Sequence, residues 1–157
     1  ATKRVEEALR KSFDYIFADL DYPGIPKIKL HTINDDPFVV GDLQIQPINV
    51  LHHKLPVKAF RIGNFTYITD ANFISEEEKE KVKGSEVIVI NALRRNEHIS
   101  HFTFQEAIDL ANELKAKKTY FTHISHQLGK HDEVSLELPP HIELGYDGLQ
   151  IEVSVRA

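Results

Sequence analysis

The stretch that most constrains the fold runs from Glu86 to Phe121. There a continuous apolar run, EVIVI, is followed by TFQEAIDLANELKA and then by KTYF. A short, unbroken apolar run is the signature of a strand buried on both faces. The segment after it places apolar residues at helical spacing and opens with a capping box, Thr103 and Glu106. KTYF reads as a second strand, HDEVSLEL as a short helix stopping before Pro139-Pro140, and IELGYDGLQIEV as a hairpin turning at Asp147-Gly148. Upstream, SEEEKEKVKG is a helix with a Ser75/Glu78 capping box and Gly84 at its C′ position. FVVGDLQIQPINVLHH reads as two strands joined at Gly41-Asp42, and VKAFRI and FTYITD as two more joined at Gly63-Asn64. At the start, Val5, Leu9, Phe13 and Ile16 predict a helix over 3–18. A loop broken by Pro23-Gly24 follows, and then a strand in KIKLHTI. Strands and helices alternate in the middle, between antiparallel flanks. The expected class is α/β, a mixed sheet with flanking helices.

At 157 residues the chain suits a single domain, 1–157. A net charge of −5 argues against a polyanionic nucleic-acid partner and against a membrane surface. No apolar run approaches the ~18 residues of a membrane span. The absence of cysteine excludes disulfides and thiolate metal sites and fits a reducing, cytoplasmic setting. The chain begins at Ala1 and contains no methionine, which reads as a piece of something longer.

Nine histidines remain to be explained. His-Ile-Ser-His occurs at 98–101 and again at 123–126. The first copy precedes a helix and the second follows a strand, so an internal repeat is excluded. In open α/β sheets ligands bind beyond the carboxyl ends of the strands. Those ends carry His52-His53, Asp70, Asn91 with His98 and His101 in the next loop, and Thr122-His123 with Ser125 and His126. Imidazoles with one carboxylate suit a divalent metal such as zinc or manganese. Taken singly each has a plainer reading. An Asp after a strand is usually a turn or cap residue, and His98, His131 and His141 read as solvent residues.

LHHKLPVKAFRIGNFTYITDANFIS, SHFTFQEAIDLA, YFTHISHQLGKH and LGYDGLQIEV occur in that order. Together they resemble the metallo-β-lactamase fold hydrolases, within them the branch containing the cyclic phosphodiesterase of phosphonate breakdown. The resemblance runs from about residue 40 to the end and implies part of an αββα sandwich. It implies metal ligation by His52, Asp70 and His123, with Asp70 bridging two metals. It gives His101 the role of protonating the leaving group, and His126 a place beside it shaping the pocket. His53 replaces the family's usual glycine and is not a ligand.

The signature His-x-His-x-Asp-His of that family does not occur in the sequence. The chain is therefore expected to be the C-terminal portion of a larger domain. Two zinc or manganese ions would fill the intact site, and one or none would remain here. The substrate expected is a small phosphodiester, and apolar surface left uncovered favours a homodimer. A non-catalytic binding domain and an RNA-processing nuclease of the same fold are the alternatives.

Overall fold

The computed structural model describes residues 1–18 and 23–154. Two compact units divide at Asp36. In the first, helix α1 spans Lys3–Ser12 and a single turn, α2, spans Asp14–Phe17. The predicted helix 3–18 is thus broken at Phe13, whose φ of −126° lies outside the helical region. Part of the predicted loop, residues 19–22, lies outside the described residues. The strand expected in 27–33 does not form. Its backbone groups are used otherwise: Ile33 N donates to Ala1 O at 2.8 Å, and the Ala1 amino group donates to His31 O at 2.7 Å. Thr32 Oγ1 donates to Glu6 at 2.6 Å.

The second unit holds the sheet. Its strands are β1 Phe38–Val40, β2 Leu43–His52, β3 Leu55–Ile62, β4 Phe65–Ile68, β5 Phe73–Ile74, β6 Val87–Asn91, β7 Lys118–Thr122 and β8 Ile142–Leu144. They lie in the order β1-β2-β3-β4-β6-β7-β8, with β5 paired to β2. The first four form an antiparallel meander, and β4, β6, β7 and β8 run parallel. This is the mixed α/β sheet expected from the alternation in sequence.

Register explains the core. Ile68, Ile90, Phe121 and Leu144 lie side by side across β4, β6, β7 and β8, and all are buried. Helices α3 (Glu76–Val82), α4 (Phe104–Leu114) and α5 (His131–Ser135) add Val82, Ala107, Leu110, Ala111, Leu114 and Val134 to the same cluster. Ala107, Leu110, Ala111 and Leu114 are the i, i+3, i+4, i+7 stripe of α4. Strand side chains alternate, so the neighbouring row Phe60, Tyr67, Val89 and Tyr120 faces the other way. Val89 is buried there while Tyr67 is exposed.

The C-terminal hairpin is corrected. The turn at Asp147-Gly148 forms, with Gly148 at φ +88°. Yet β8 pairs parallel with β7, and residues 151–154 form no strand. The chain leaves the sheet at Gly145, whose N–H donates to Phe121 O at 2.7 Å. A Cβ there would stand 3.0 Å from that oxygen, so this close approach favours glycine.

The two capping boxes differ. Thr103 and Glu106 form both reciprocal bonds. Ser75 caps α3, but Glu78 does not reach back to it. The Glu78 carboxylate instead accepts from Asn49 N at 2.8 Å, Asn49 Nδ2 at 3.0 Å and Lys81 Nζ at 2.8 Å. Helix α3 is thereby fastened to β2. Burial pushes the Glu78 carboxyl up, but the Lys81 and Asn49 hydrogen bonds outweigh it and hold the group below its ordinary 4.5. Glu78→Gln should lose about 1–3 kcal/mol in urea unfolding near neutrality. The folded pKa is depressed, so this difference is full above pH 4.5 and closes as the pH falls through the lowered value.

Candidate metal centre

The site is built at the strand ends on one edge of the sheet. β2 ends at His52, and Asp70 follows β4 by two residues. His123 follows β7 directly. The loop between β6 and α4 supplies His98, Ser100 and His101. That loop is held by backbone bonds: Ala92 N to Thr122 O at 3.0 Å, Phe102 N to Ala71 O at 2.9 Å, and Leu93 N to Phe102 O at 3.1 Å.

Asn91 secures the arrangement. It is fully buried, its Oδ1 accepts from Ala71 N at 2.8 Å, and its Nδ2 donates to Ala71 O at 2.9 Å. Both ends of one amide thus clamp the residue after Asp70. The sequence marked Asn91 only as a strand end. Its last place in an apolar strand was the available signal, since a buried amide must find partners.

His101 stands at the centre. Its ring centroid lies 4.7 Å from that of His52 in an edge-to-face contact, and 4.7 Å from that of His123, which stacks on it at 9°. His98 is also 4.7 Å away, with the two Nδ1 atoms 2.9 Å apart. His98 was expected in solvent; it belongs to the cluster. Asp70 Oδ1 accepts from Thr69 Oγ1 at 2.6 Å, and His123 Nδ1 lies 3.2 Å from it. Burial lowers the His101 pKa below its ordinary 6.5. The neighbouring His123 and His52 rings add to that effect, and Asp70 opposes it. His101 is therefore less readily protonated than a free imidazole.

Among the described residues, one ligand atom each from His52, Asp70 and His101 lies within 4.8 Å of the other two. Two neutral imidazoles and a carboxylate are a donor set that zinc or manganese accepts, and three protein ligands with an open position are the catalytic form. The donors fit a divalent cation. His123, also expected as a ligand, abuts this trio through its contacts with Asp70 and His101. His126 stands apart: it opens the 3-10 turn His126–Leu128, its side chain is exposed, and its imidazole makes no hydrogen bond or ring contact among the described residues.

Two histidines have left-handed backbone, His53 at φ +58° and His123 at +57°. His53 lies in the β2–β3 turn, where its N–H donates to Asn72 Oδ1 at 2.7 Å. Left-handed φ is where glycine belongs, which accounts for the glycine expected there. His123 carries the same conformation at the site itself, a position where a strained backbone commonly serves function.

Imidazoles and one carboxylate gathered at the ends of a mixed sheet make a candidate strand-end metal site in an α/β fold. The particular family is shown by comparison. The profile of the beta-lactamase superfamily domain matches residues 1–124, and the chain belongs to that family. A Porphyromonas gingivalis protein described as an octanoyltransferase is 38% identical over 152 residues, which are 96% of this chain and 31% of that protein. The chain thus spans about a third of the length of this curated relative. The crystal structure of a diphosphatase from the PhnP family superposes with a TM-score of 0.88 at 32% identity, covering 99% of this chain and 58% of that one. Zinc-bound PqqB from Methylobacterium extorquens gives 0.71 at 15% identity, over 98% of this chain and 64% of that one, a likeness of fold alone. The metallo-β-lactamase fold is accordingly that of this chain. No helix among the described residues is long and apolar enough to cross a membrane.

The turn at His53 gives a direct test. His53→Gly should leave divalent-metal uptake unchanged. It should also match or exceed the wild-type stability, by up to ~1 kcal/mol in chemical denaturation. Relief of the left-handed cost (about 1–2 kcal/mol) is partly offset by glycine's greater freedom in the unfolded chain.

Proposed function

We propose that this chain supplies part of the active site of a divalent-metal hydrolase acting on a small phosphodiester or diphosphate. The observation that carries the reading is the convergence of His52, Asp70 and His101, backed by His123, at four separate points of the chain. Similarity to a PhnP-family diphosphatase over 99% of the chain supports phosphate chemistry. The octanoyltransferase description belongs to a protein most of which lies outside the match, so it weighs less.

In this reading His52, Asp70 and His123, the ligands that the resemblance implies, hold zinc or manganese, and His101, whose ring lies 4.7 Å from both imidazoles, is the proton donor beside them. A metal there supplies Lewis acidity toward a phosphoryl oxygen and lowers the pKa of water. Asp70 is oriented by Thr69 and His123, which both address its Oδ1. The His101 imidazole, once protonated, is placed to hand its proton to a leaving oxygen. His126 has no part. A second metal needs ligands beyond those gathered here, and the chain spans only 58% of the diphosphatase. We therefore infer that the chain is one portion of a larger domain and hydrolyses little by itself.

Elemental analysis after dialysis against zinc or manganese tests the metal reading. About one ion per chain is expected for the wild type and almost none for Asp70→Ala, because removing the carboxylate takes the sole anionic ligand from the trio. No uptake by the wild type, or equal uptake by the variant, overturns it.

A further inference from the structure

The two residues after Asp70 tie its segment to different neighbours. Ala71 is bonded to Asn91 on β6 and to Phe102 beyond His101. Asn72 holds β2. Its backbone N–H donates to Leu51 O at 2.8 Å, and its Oδ1 accepts from His53 N at 2.7 Å. These two bonds lie on either side of His52. The Asn72 Nδ2 donates to Ile99 O at 3.3 Å, in the loop between His98 and His101. One half-buried side chain thus touches the main chain of both neighbouring turns.

An asparagine after a strand ordinarily bonds its own near neighbours and closes a local turn. Here the side-chain partners are 19 and 27 residues away. The β2–β3 hairpin, closed by the pair His52 and Leu55, holds His52 to its own turn but not to Asp70. The pairing of β5 with β2 ties the two segments as far as Leu51, opposite Phe73. Asn72 carries that tie past His52. We propose that Asn72 is a positioning residue that grips the main chain before and after His52 and so sets the place of that imidazole relative to Asp70. The inference deepens the metal-site reading and rests on it for the use of that placement. Groups that orient a ligand from outside are worth a large share of a site's affinity, because a loose ligand must otherwise be ordered at the moment of binding.

Amide hydrogen exchange on the metal-free, 15N-labelled chain reads the clamp. The His53 N–H should exchange about 10-fold faster in Asn72→Ala than in the wild type, the worth of one hydrogen bond, with the β6 and β7 amides unchanged. Asn72→Asp keeps the acceptor and should restore the His53 protection. Zinc titration reads the consequence: Asn72→Ala should bind about 10–100-fold more weakly than the wild type. Lys79→Met is the control. It removes the cation joining Glu76 of α3 to Glu113 of α4, and it should keep the wild-type affinity whatever stability it loses. Equal His53 exchange in wild type and Asn72→Ala, or unchanged zinc affinity in that variant, overturns the proposal. So does an equal loss of affinity in Lys79→Met, which would make the effect one of general stability. If Asn72→Ala does not fold, Asn72→Leu, similar in shape but without polar atoms, takes its place. A wild type that takes up no zinc, while its His53 amide depends on Asn72 as expected, sinks the metal reading and leaves the clamp standing.

Discussion

The amide of Asn91 is the contact on which the site depends. It spends its acceptor and one donor on Ala71, and both bonds are shielded from water. Ala71 in turn accepts from Phe102 through its carbonyl, so three segments meet at one residue. The segment carrying Asp70, the end of β6 and the loop carrying His101 are fixed together without any of the ligating side chains taking part. A polar group this deeply buried is costly unless fully satisfied. That cost makes the geometry specific: a shift of Asp70 relative to β6 would leave the amide and the Ala71 backbone unpaired.

Much of this was legible in the chain. The parallel core followed from EVIVI, the α4 stripe and KTYF, because each carries a period that only one element can satisfy. His52, Asp70, His101 and His123 were legible as strand-end residues, since a parallel sheet brings strand ends to one edge. The misses share a cause. The strand at 27–33, the hairpin after Gly145 and the Glu78 box were read from local pattern, and each gave way to a longer-range partner: Ala1, Phe121 and Asn49. His98 was missed because the bend at Ser100 turns it back on His101, and nothing in the spacing His-x-x-His distinguishes that bend from an exposed loop. His126 has the same spacing from His123, and it opens a 3-10 turn capped by Ser125 with its side chain exposed.

The crowding of imidazoles has an electrostatic consequence. His52, His98 and His123 all lie within ring contact of His101, and Asp70 Oδ1 lies 3.2 Å from His123 Nδ1. Their protons compete, since like charges at such distances disfavour one another. At His101 burial comes first and the His123 and His52 rings add to it, so its protonated form is disfavoured. A divalent cation requires neutral imidazoles as ligands, so metal uptake and proton uptake exclude one another at this site.

The second face of the sheet bears on how the site is completed. Across β3, β4, β6 and β7 it presents Phe60, Tyr67, Val89 and Tyr120 in one row, flanked by Ile62, Phe65 and Val87 in the next. Helices α3, α4 and α5 pack on the other side, and this face carries the aromatic rows. Beside His123 this face opens into a cavity of about 410 Å³, walled by Tyr67, Tyr120, Tyr146 and Leu149. Residues on the helix-packed face set the core, while the strand ends set the ligands. The two jobs fall on alternate positions of the same strands. Changes at Tyr67 and Tyr120 therefore bear first on the cavity beside His123, and changes at Ile68 or Ile90 on the helix-packed core.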